Sequence, residues 1–312
     1  MKIYGGLLAV LAALFNGTVG LFSVNLFQLG LSSEAVAFYK CLIALMTLGV
    51  WAVMTGQLGV LGRYLRQFWP RIAVCAFFGF FVLYYFETAA YQHINVAVVV
   101  FCLFGASTIA TFLLNAALAR RWINKHELVA MLLSLGGLYL VFVETQQLSG
   151  QESTGLLLAV VAGLGYACFL VLTKKLGLGG GLIPVAALLL FGVIYLSIPL
   201  ALSGWSVPSS DSLFALLMLA ILPTIGGFWC TTKSLTLIES QSVQLIELTE
   251  PIFALIIGFV FLGQLVTGPQ MLGGGLIMAA IVIHEFAVLD RLVLFRSSVG
   301  GKRFRWKWHE HQ

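Results

Sequence analysis

Charged residues are scarce in this sequence. Aspartate, glutamate, lysine and arginine make up 9% of its 312 residues, whereas soluble domains carry about 25%. This scarcity excludes an ordinary soluble protein. The apolar residues form continuous runs instead of alternating segments of about ten residues, which excludes a transmembrane β-barrel. We therefore predict an all-α integral membrane protein, because a helix satisfies its own backbone hydrogen bonds within lipid.

Motifs for nucleotides, metals and catalysis are also lacking. The five cysteines lie inside apolar runs without a C-x-x-C pair, which predicts small buried hydrophobes rather than disulfides or a zinc site. No G-x-x-x-x-G-K-[ST] run exists, which excludes ATP-driven transport by this chain alone. An enzyme is disfavoured because Ser107 lacks a G-x-S-x-G frame and His284 lacks the second histidine of a metalloprotease motif. We expect no cofactor, no metal and no nucleic-acid partner.

Ten apolar segments are long enough to cross a bilayer, which takes about 20 helical residues. The first continues past Asn16 to about Leu29. It is therefore longer than the apolar region of a cleaved signal peptide, and we count it as a span. The connections are short, which predicts that consecutive spans are antiparallel neighbours. The predicted spans are 4–27, 35–55, 72–91, 96–119, 128–143, 155–172, 183–202, 213–237, 241–263 and 271–287.

The basic residues support an even number of spans. If ten spans alternate in direction, 15 of the 17 lysines and arginines fall on one side of the membrane. Only Lys40 and Lys233 lie within spans. The positive-inside rule then predicts that both termini are cytoplasmic. The basic and aromatic segment 291–312 either binds the anionic headgroups of membrane lipids or is a disordered, solvated tail.

The two halves of the chain resemble each other. The sequence GLLAVLAA begins at Gly6, and GLLLAVVA begins at Gly155. Each half holds five predicted spans, an odd number, so the halves must have opposite orientations in the membrane. We predict two inverted five-helix repeats, residues 1–148 and 149–290. Secondary transporters often follow this plan, with a substrate site near the midplane between the repeats.

Several motifs identify a family resemblance. The second half opens with GLLLAVVAGLGYACFLVLTKK at Gly155, and ELTEPIFALIIGFVFLGQ follows from Glu247. Three glycines then occupy positions 273–275 of the last span. With the layout of two halves of five spans, the sequence resembles the EamA-type branch of the drug/metabolite transporter superfamily over nearly its whole length.

The resemblance implies a carrier of the inner membrane, often an exporter of amino acids or related small polar metabolites. It also implies a central cavity lined by spans one, three, four, six, eight and nine. The sequence departs from the family where Ser107 and Thr108 replace a common proline, and where Arg121 and Gln264 replace common acids. A channel or facilitative pore for small metabolites is the alternative function.

Charged side chains inside spans mark candidate sites, because their burial in lipid is costly. A hairpin that turns near Glu239 would bring Lys233 level with Glu247, and Lys40 would share a depth with Glu87. We predict both pairs, either as structural locks between helices or as binding groups for a charged substrate. The charged residues inside spans are Lys40, Glu87, Lys233, Glu247 and Glu250.

Glu250 is the best candidate for proton coupling. It lies nearest the membrane centre, and burial favours the neutral form of a carboxyl group. Pro251 should kink the helix beside it. Gln244 and Glu247 precede it in the same span and predict a polar cavity wall.

Aromatic residues on spans three and eight either line this cavity or pack between helices. Their faces can hold a ring or a cation. Tyr91 also suits a belt of aromatic residues at the membrane interface. The remaining candidates for substrate contact are Asn16, Tyr84, Tyr166 and Trp229.

Overall fold

The regular elements of the described chain are all helical. A computed structural model describes residues 2–94, 96–120, 122–143, 152–262, 268–269, 271–280 and 282–283. Asn95, Arg121, Gln264, His284, Glu285 and the segment 291–312 lie outside these ranges. The α-helices are α1 (Lys2–Asn16), α2 (Val19–Gln28), α3 (Ser33–Met54), α4 (Leu58–Ala76), α5 (Leu83–His93), α6 (Val96–Leu118), α7 (Lys125–Val143), α8 (Glu152–Lys175), α9 (Leu182–Ser203), α10 (Leu213–Leu219), α11 (Phe228–Leu235), α12 (Ser240–Glu247), α13 (Glu250–Leu262) and α14 (Met271–Ala280).

Seven helical stretches of the described residues are long and apolar enough to cross a membrane. Large apolar side chains such as Leu113, Leu157 and Ile198 are exposed on the outside of the bundle. This surface suits lipid acyl chains, and the chain is a multi-pass membrane protein. The seven stretches are Lys2–Gln28, Ser33–Met54, Leu58–His93, Val98–Leu118, Ser153–Lys175, Leu182–Ser203 and Ser210–Leu235.

The third predicted span begins earlier than the sequence indicated. Arg63 and Arg66 were predicted to lie in a loop, but both belong to α4 and are exposed. The start of α4 is too polar to be recognised from hydropathy as part of a membrane span. A helix that lies along the membrane interface nevertheless forms with only one apolar face. The first turns of α4 therefore suit the headgroup region, where arginines can contact phosphates.

Four irregularities interrupt the helices near the centre of the bundle. π-Helical turns, Phe77–Val82 and Ala220–Gly227, join α4 to α5 and α10 to α11. Helix breaks at residues 17–18 and 248–249 separate α1 from α2 and α12 from α13. The kink expected at Pro251 takes the form of the second break. Pro251 lies in the first turn of α13, where a backbone N–H would have no acceptor within the helix, so its missing N–H costs no hydrogen bond. Irregular backbone within a membrane is tolerated where it borders a cavity, and π-helical turns are frequent at functional sites.

Glycines permit close contacts between helices of the two halves. A Cβ atom at Gly163 on α8 would overlap the carbonyl group of Leu103 on α6. At Gly137 on α7 it would lie 2.6 Å from the carbonyl oxygen of Gly273 on α14. Both glycines therefore permit close helix contact, whereas Gly136 borders open space.

One end of the bundle gathers several predicted cytoplasmic segments. Lys174 Nζ, at the end of α8, donates hydrogen bonds of 2.8 Å to the carbonyl oxygens of Leu235 and Ile238. Asn115 Nδ2 on α6 donates to Ser240 Oγ at 3.0 Å. A hydrogen bond from α11 also holds the start of α1 there. We call this the basic end.

Candidate functional site

A small cavity of about 30 Å³ lies between helices of both halves. Asn16, Tyr84, Glu87, Tyr166 and Glu250 line it, and all five were predicted site residues. They belong to segments that correspond to predicted spans one, three, six and nine, and residues of α6 and α11 complete the wall. One water molecule needs roughly 10–15 Å³ of such space, so the cavity has room for about two.

Two aromatic residues of the wall were missed as cavity residues. Phe104 and Phe228 line the cavity, although the sequence does not distinguish them from ordinary packing residues. Trp229 was also predicted to line the cavity, but it is absent from this wall. It packs instead against Leu8 and Ala12 of α1. Neighbouring helical residues point about 100° apart, which explains why Phe228 takes the place predicted for Trp229.

A polar cluster in the first half surrounds Lys40, which is only 1% exposed. Its Nζ lies 3.7 Å from the centroid of the Tyr84 ring and donates to Thr88 Oγ1 at 3.4 Å. The Glu87 carboxylate interacts with Lys40 electrostatically and accepts a hydrogen bond of 3.1 Å from Tyr91 Oη. The two residues of the predicted pair therefore lie within electrostatic range, but a cation–π contact and a threonine hold the ammonium in place of a direct ion pair. Tyr91 is buried and does not belong to an interfacial belt.

Glu247 is the centre of a second polar cluster. It is fully buried and accepts hydrogen bonds from Thr231 Oγ1 at 2.7 Å and from Tyr166 Oη. The predicted pair of Glu247 with Lys233 is therefore wrong. Because α11 ends at Leu235 and the turn occupies residues 236–239, Lys233 lies close to the basic end and is half-buried. Thr231 occupies the position facing Glu247.

Glu250 connects the two clusters. It is buried, hydrogen-bonds with the Asn16 side chain, and interacts electrostatically with both Glu87 and Glu247. Gly227 leaves room for the Asn16 side chain, because a Cβ atom at position 227 would overlap Asn16 Oδ1. The site can therefore accept positive charge, as a proton or as an ammonium group.

Gln244 lies outside the cavity wall. It is fully buried between α12 and α6, where its Nε2 donates to Thr108 Oγ1 at 3.3 Å. Thr108 and its neighbour Ser107 were noted in the sequence only as departures from the family pattern. Among the described residues, no group of three or more histidines, cysteines or acids is arranged to hold a metal ion.

Comparison with solved structures concerns the fold. One crystal structure matches with a TM-score of 0.74 at 16% sequence identity, covering 92% of this chain and 98% of the other. This likeness extends over nearly the whole of both chains. It therefore supports the helical fold of the chain as a whole.

Comparison with known sequences concerns the family. An uncharacterized transporter of Archaeoglobus fulgidus is 26% identical over 294 residues, which cover 90% of this chain and 96% of that protein. A probable amino-acid metabolite efflux pump of Salmonella typhimurium is 27% identical over 195 residues, or 58% of this chain and 64% of the pump. The EamA-like transporter family matches twice, over residues 3–143 and 153–284. The predicted resemblance is confirmed: this chain belongs to the EamA-like transporter family, and it is a membrane transporter rather than an enzyme.

Proposed function

We propose that this transporter is a secondary active carrier that exports amino acids or related small polar metabolites. The main support for the proposal is the excess of buried acidic groups over basic groups at the site. At the site, the three buried carboxyl groups of Glu87, Glu247 and Glu250 outnumber the one buried amine, that of Lys40. Unbalanced buried charge costs several kcal/mol per ion. A proton or the ammonium group of a substrate relieves this cost, and an amino acid supplies such a group.

The proposal includes a membrane topology. Ten spans form two inverted repeats, residues 1–148 and 149–290, in the inner membrane. Both termini are cytoplasmic, and the tail 291–312 binds anionic lipid headgroups. Two observations support this arrangement: the family matches the chain twice, and each half contains a π-helical turn in its third predicted span. The hydrogen bonds of Lys174 at the basic end agree with the predicted side of the basic loops.

Alternating access fits the site better than an open pore. Pockets that bind small molecules usually measure about 300–1,000 Å³, whereas this cavity measures about 30 Å³. Helices must separate before a metabolite can enter. Because both halves supply the wall, a movement of one half against the other would open the cavity.

Transport in proteoliposomes tests the carrier. A panel of labelled amino acids and metabolites would be measured with and without a pH gradient. We expect at least one amino acid to be driven by the gradient. We also expect its uptake to accelerate when unlabelled substrate is present inside. Uptake that internal substrate does not accelerate would indicate a channel and contradict the proposal.

The variant Glu250→Gln tests proton coupling. An amide keeps the size of the carboxyl group and its contact with Asn16 but cannot release a proton at any accessible pH. We expect gradient-driven transport to be abolished while exchange of internal for external substrate continues. The matched control is Glu239→Gln, which changes an exposed carboxylate at the turn before α12 and should retain gradient-driven transport. Full gradient-driven activity in Glu250→Gln would refute its role.

A further inference from the structure

A second polar surface lies between α6 and α12, outside the cavity wall. On α6, residues 104, 108, 111 and 115 follow the spacing i, i+4, i+7, i+11 and share one face of the helix. On α12, residues 240, 244 and 247 share a face in the same way. Cross-helix hydrogen bonds join Gln244 to Thr108 and Asn115 to Ser240, so the two faces meet. We call Thr108, Thr111, Asn115, Ser240, Gln241 and Gln244 the polar seam.

The polar seam runs from the acids of the site to the basic end. On α6 it follows Phe104, which lines the cavity, and reaches Asn115 near the end of the helix. On α12 it begins with Ser240 beside the turn and leads to Glu247. From Thr108 to Asn115 the rise is about 10 Å, at roughly 1.5 Å per residue. The seam therefore connects a buried carboxyl group with the membrane surface.

Three atoms of the polar seam have no hydrogen-bond partner within the described part of the chain. They are Thr111 Oγ1, Gln241 Nε2 and Gln244 Oε1, and all three are buried. An unsatisfied buried polar atom destabilises the packed state, because it has lost its hydrogen bonds to water without gaining others. Such atoms on both α6 and α12 make the closed packing of these helices expensive, and water entering between them would satisfy Thr111 and Gln244, which lie on the facing sides. By contrast, α6 packs against α8 through the backbone at Gly163, with no room for water.

Ionisable groups surround Glu247 on every side except the one that faces the polar seam. Tyr166 faces it from α8, Cys230 from α11 and Glu250 from α13. The side chains of the polar seam are hydroxyls and amides, which can both donate and accept hydrogen bonds. Charged groups are met again at the basic end, where Lys174 binds the turn that precedes α12.

We propose that the polar seam is a hydrated route by which protons pass between Glu247 and the basic end of the bundle. A proton leaves the Glu247 carboxyl group for a water molecule in the seam, and hydroxyls and water carry it to bulk solvent. The carboxylate that remains is reprotonated from the site side through Glu250. The coupling role of this route rests on the proposed carrier function, whereas its hydration does not.

Thiol labelling tests the hydration of the polar seam. Thr111→Cys places a thiol in the seam, and Leu113→Cys is the matched control at nearly the same depth. Leu113 lies on the opposite face of α6 and is 53% exposed on the outside of the bundle, where lipid is expected. The five native cysteines are present in both variants. The probe is the membrane-impermeant cation methanethiosulfonate ethyltrimethylammonium, applied to vesicles of each orientation.

We expect Thr111→Cys to react on the order of tenfold faster than Leu113→Cys, because a thiol must meet water to ionise and react. The reaction should occur from one side of the membrane, the side that carries the basic loops. Equal rates for the two variants, or no reaction of either above the wild-type background, would overturn the proposal. This measurement needs no substrate, so its result is independent of whether the carrier proposal holds.

Proton movement supplies a second measurement. Thr111→Val keeps the side-chain shape but removes a hydroxyl from the route, and Leu113→Val is its control. With a pH-sensitive dye inside proteoliposomes, we expect gradient-driven transport by Thr111→Val to slow several-fold while substrate exchange is unchanged. If wild-type protein responds to the gradient and Thr111→Val responds equally, the polar seam is not the proton route.

Discussion

The two polar clusters beside the cavity neutralise their acids in different ways. In the first half, Glu87 lies within electrostatic range of Lys40. In the second half, Glu247 accepts hydrogen bonds from Thr231 and Tyr166. Within the described ranges, no lysine or arginine forms an ion pair with Glu247. The first cluster is therefore balanced by a cation, and the second is satisfied by hydroxyl groups alone.

This difference distinguishes an acid whose charge is fixed from an acid that can gain or lose a proton. Both halves contain a π-helical turn in the third predicted span, so the backbone repeats. The buried charges do not repeat. A carboxylate beside a buried ammonium is costly to alter, because the change leaves one ion unpaired. A carboxyl group held by hydroxyls can gain or lose a proton while its neighbours rotate, so we infer that the second half carries the exchangeable charge.

Removal of the cation should produce the largest loss of stability. Lys40→Met leaves Glu87 buried without its counter-charge, and breaking a buried pair costs about 3–5 kcal/mol. Unfolding by SDS in mixed micelles would measure the change. Lys233→Met is the matched control, because this lysine is half-buried near the basic end and should change stability by only about 0.5 kcal/mol.

The double variant Lys40→Met with Glu87→Gln sharpens this result. It removes both charges, so it should recover most of the stability that Lys40→Met loses. If the double variant is as unstable as the single one, the loss comes from packing and the charge-balanced description of the first cluster is wrong.

The close contact between α6 and α8, the helix that supplies Tyr166 to the second cluster, is the next test. In Gly163→Ala, the new methyl group would overlap the carbonyl of Leu103 and push α8 away from α6. We expect a loss of about 1–3 kcal/mol, the usual range for overpacking. Gly136→Ala is the control, since a methyl group meets open space there. Equal stability of the two variants in the same SDS titration would contradict the close contact.

Adjacent threonines on α11 provide the finest comparison. Thr231→Val removes a hydrogen bond to Glu247 and should cost about 1 kcal/mol. Thr232→Val is the control, because the Thr232 hydroxyl donates only to carbonyl oxygens of its own helix, those of Phe228 and Trp229. Thermal unfolding in detergent would resolve the difference. A larger loss in Thr232→Val would mean that the hydroxyl bonded to Glu247 contributes little.

The success of the site predictions varied with the kind of residue. Glu250 was predicted because a charged group inside an apolar helix marks a site, and it lines the cavity together with the predicted residues Asn16 and Tyr166. Trp229 does not line this cavity, because the choice between neighbouring aromatic residues depends on helix rotation. A π-helical turn, Ala220–Gly227, lies directly before it. Such a turn adds a residue and shifts which side chains face inward, and its position cannot be read from hydropathy.

The sequence by itself determined the class of this protein, its family and the presence of buried acids that need partners. Hydropathy is a sum over neighbouring residues, so local composition is enough to recognise membrane spans and the charged residues within them. Only the tertiary structure decided the partners. The residue facing Glu247 is Thr231 rather than Lys233 because the turn after α11 occupies residues 236–239. Turn position and helix rotation arise from packing between segments that are distant in the chain, and no local pattern contains them.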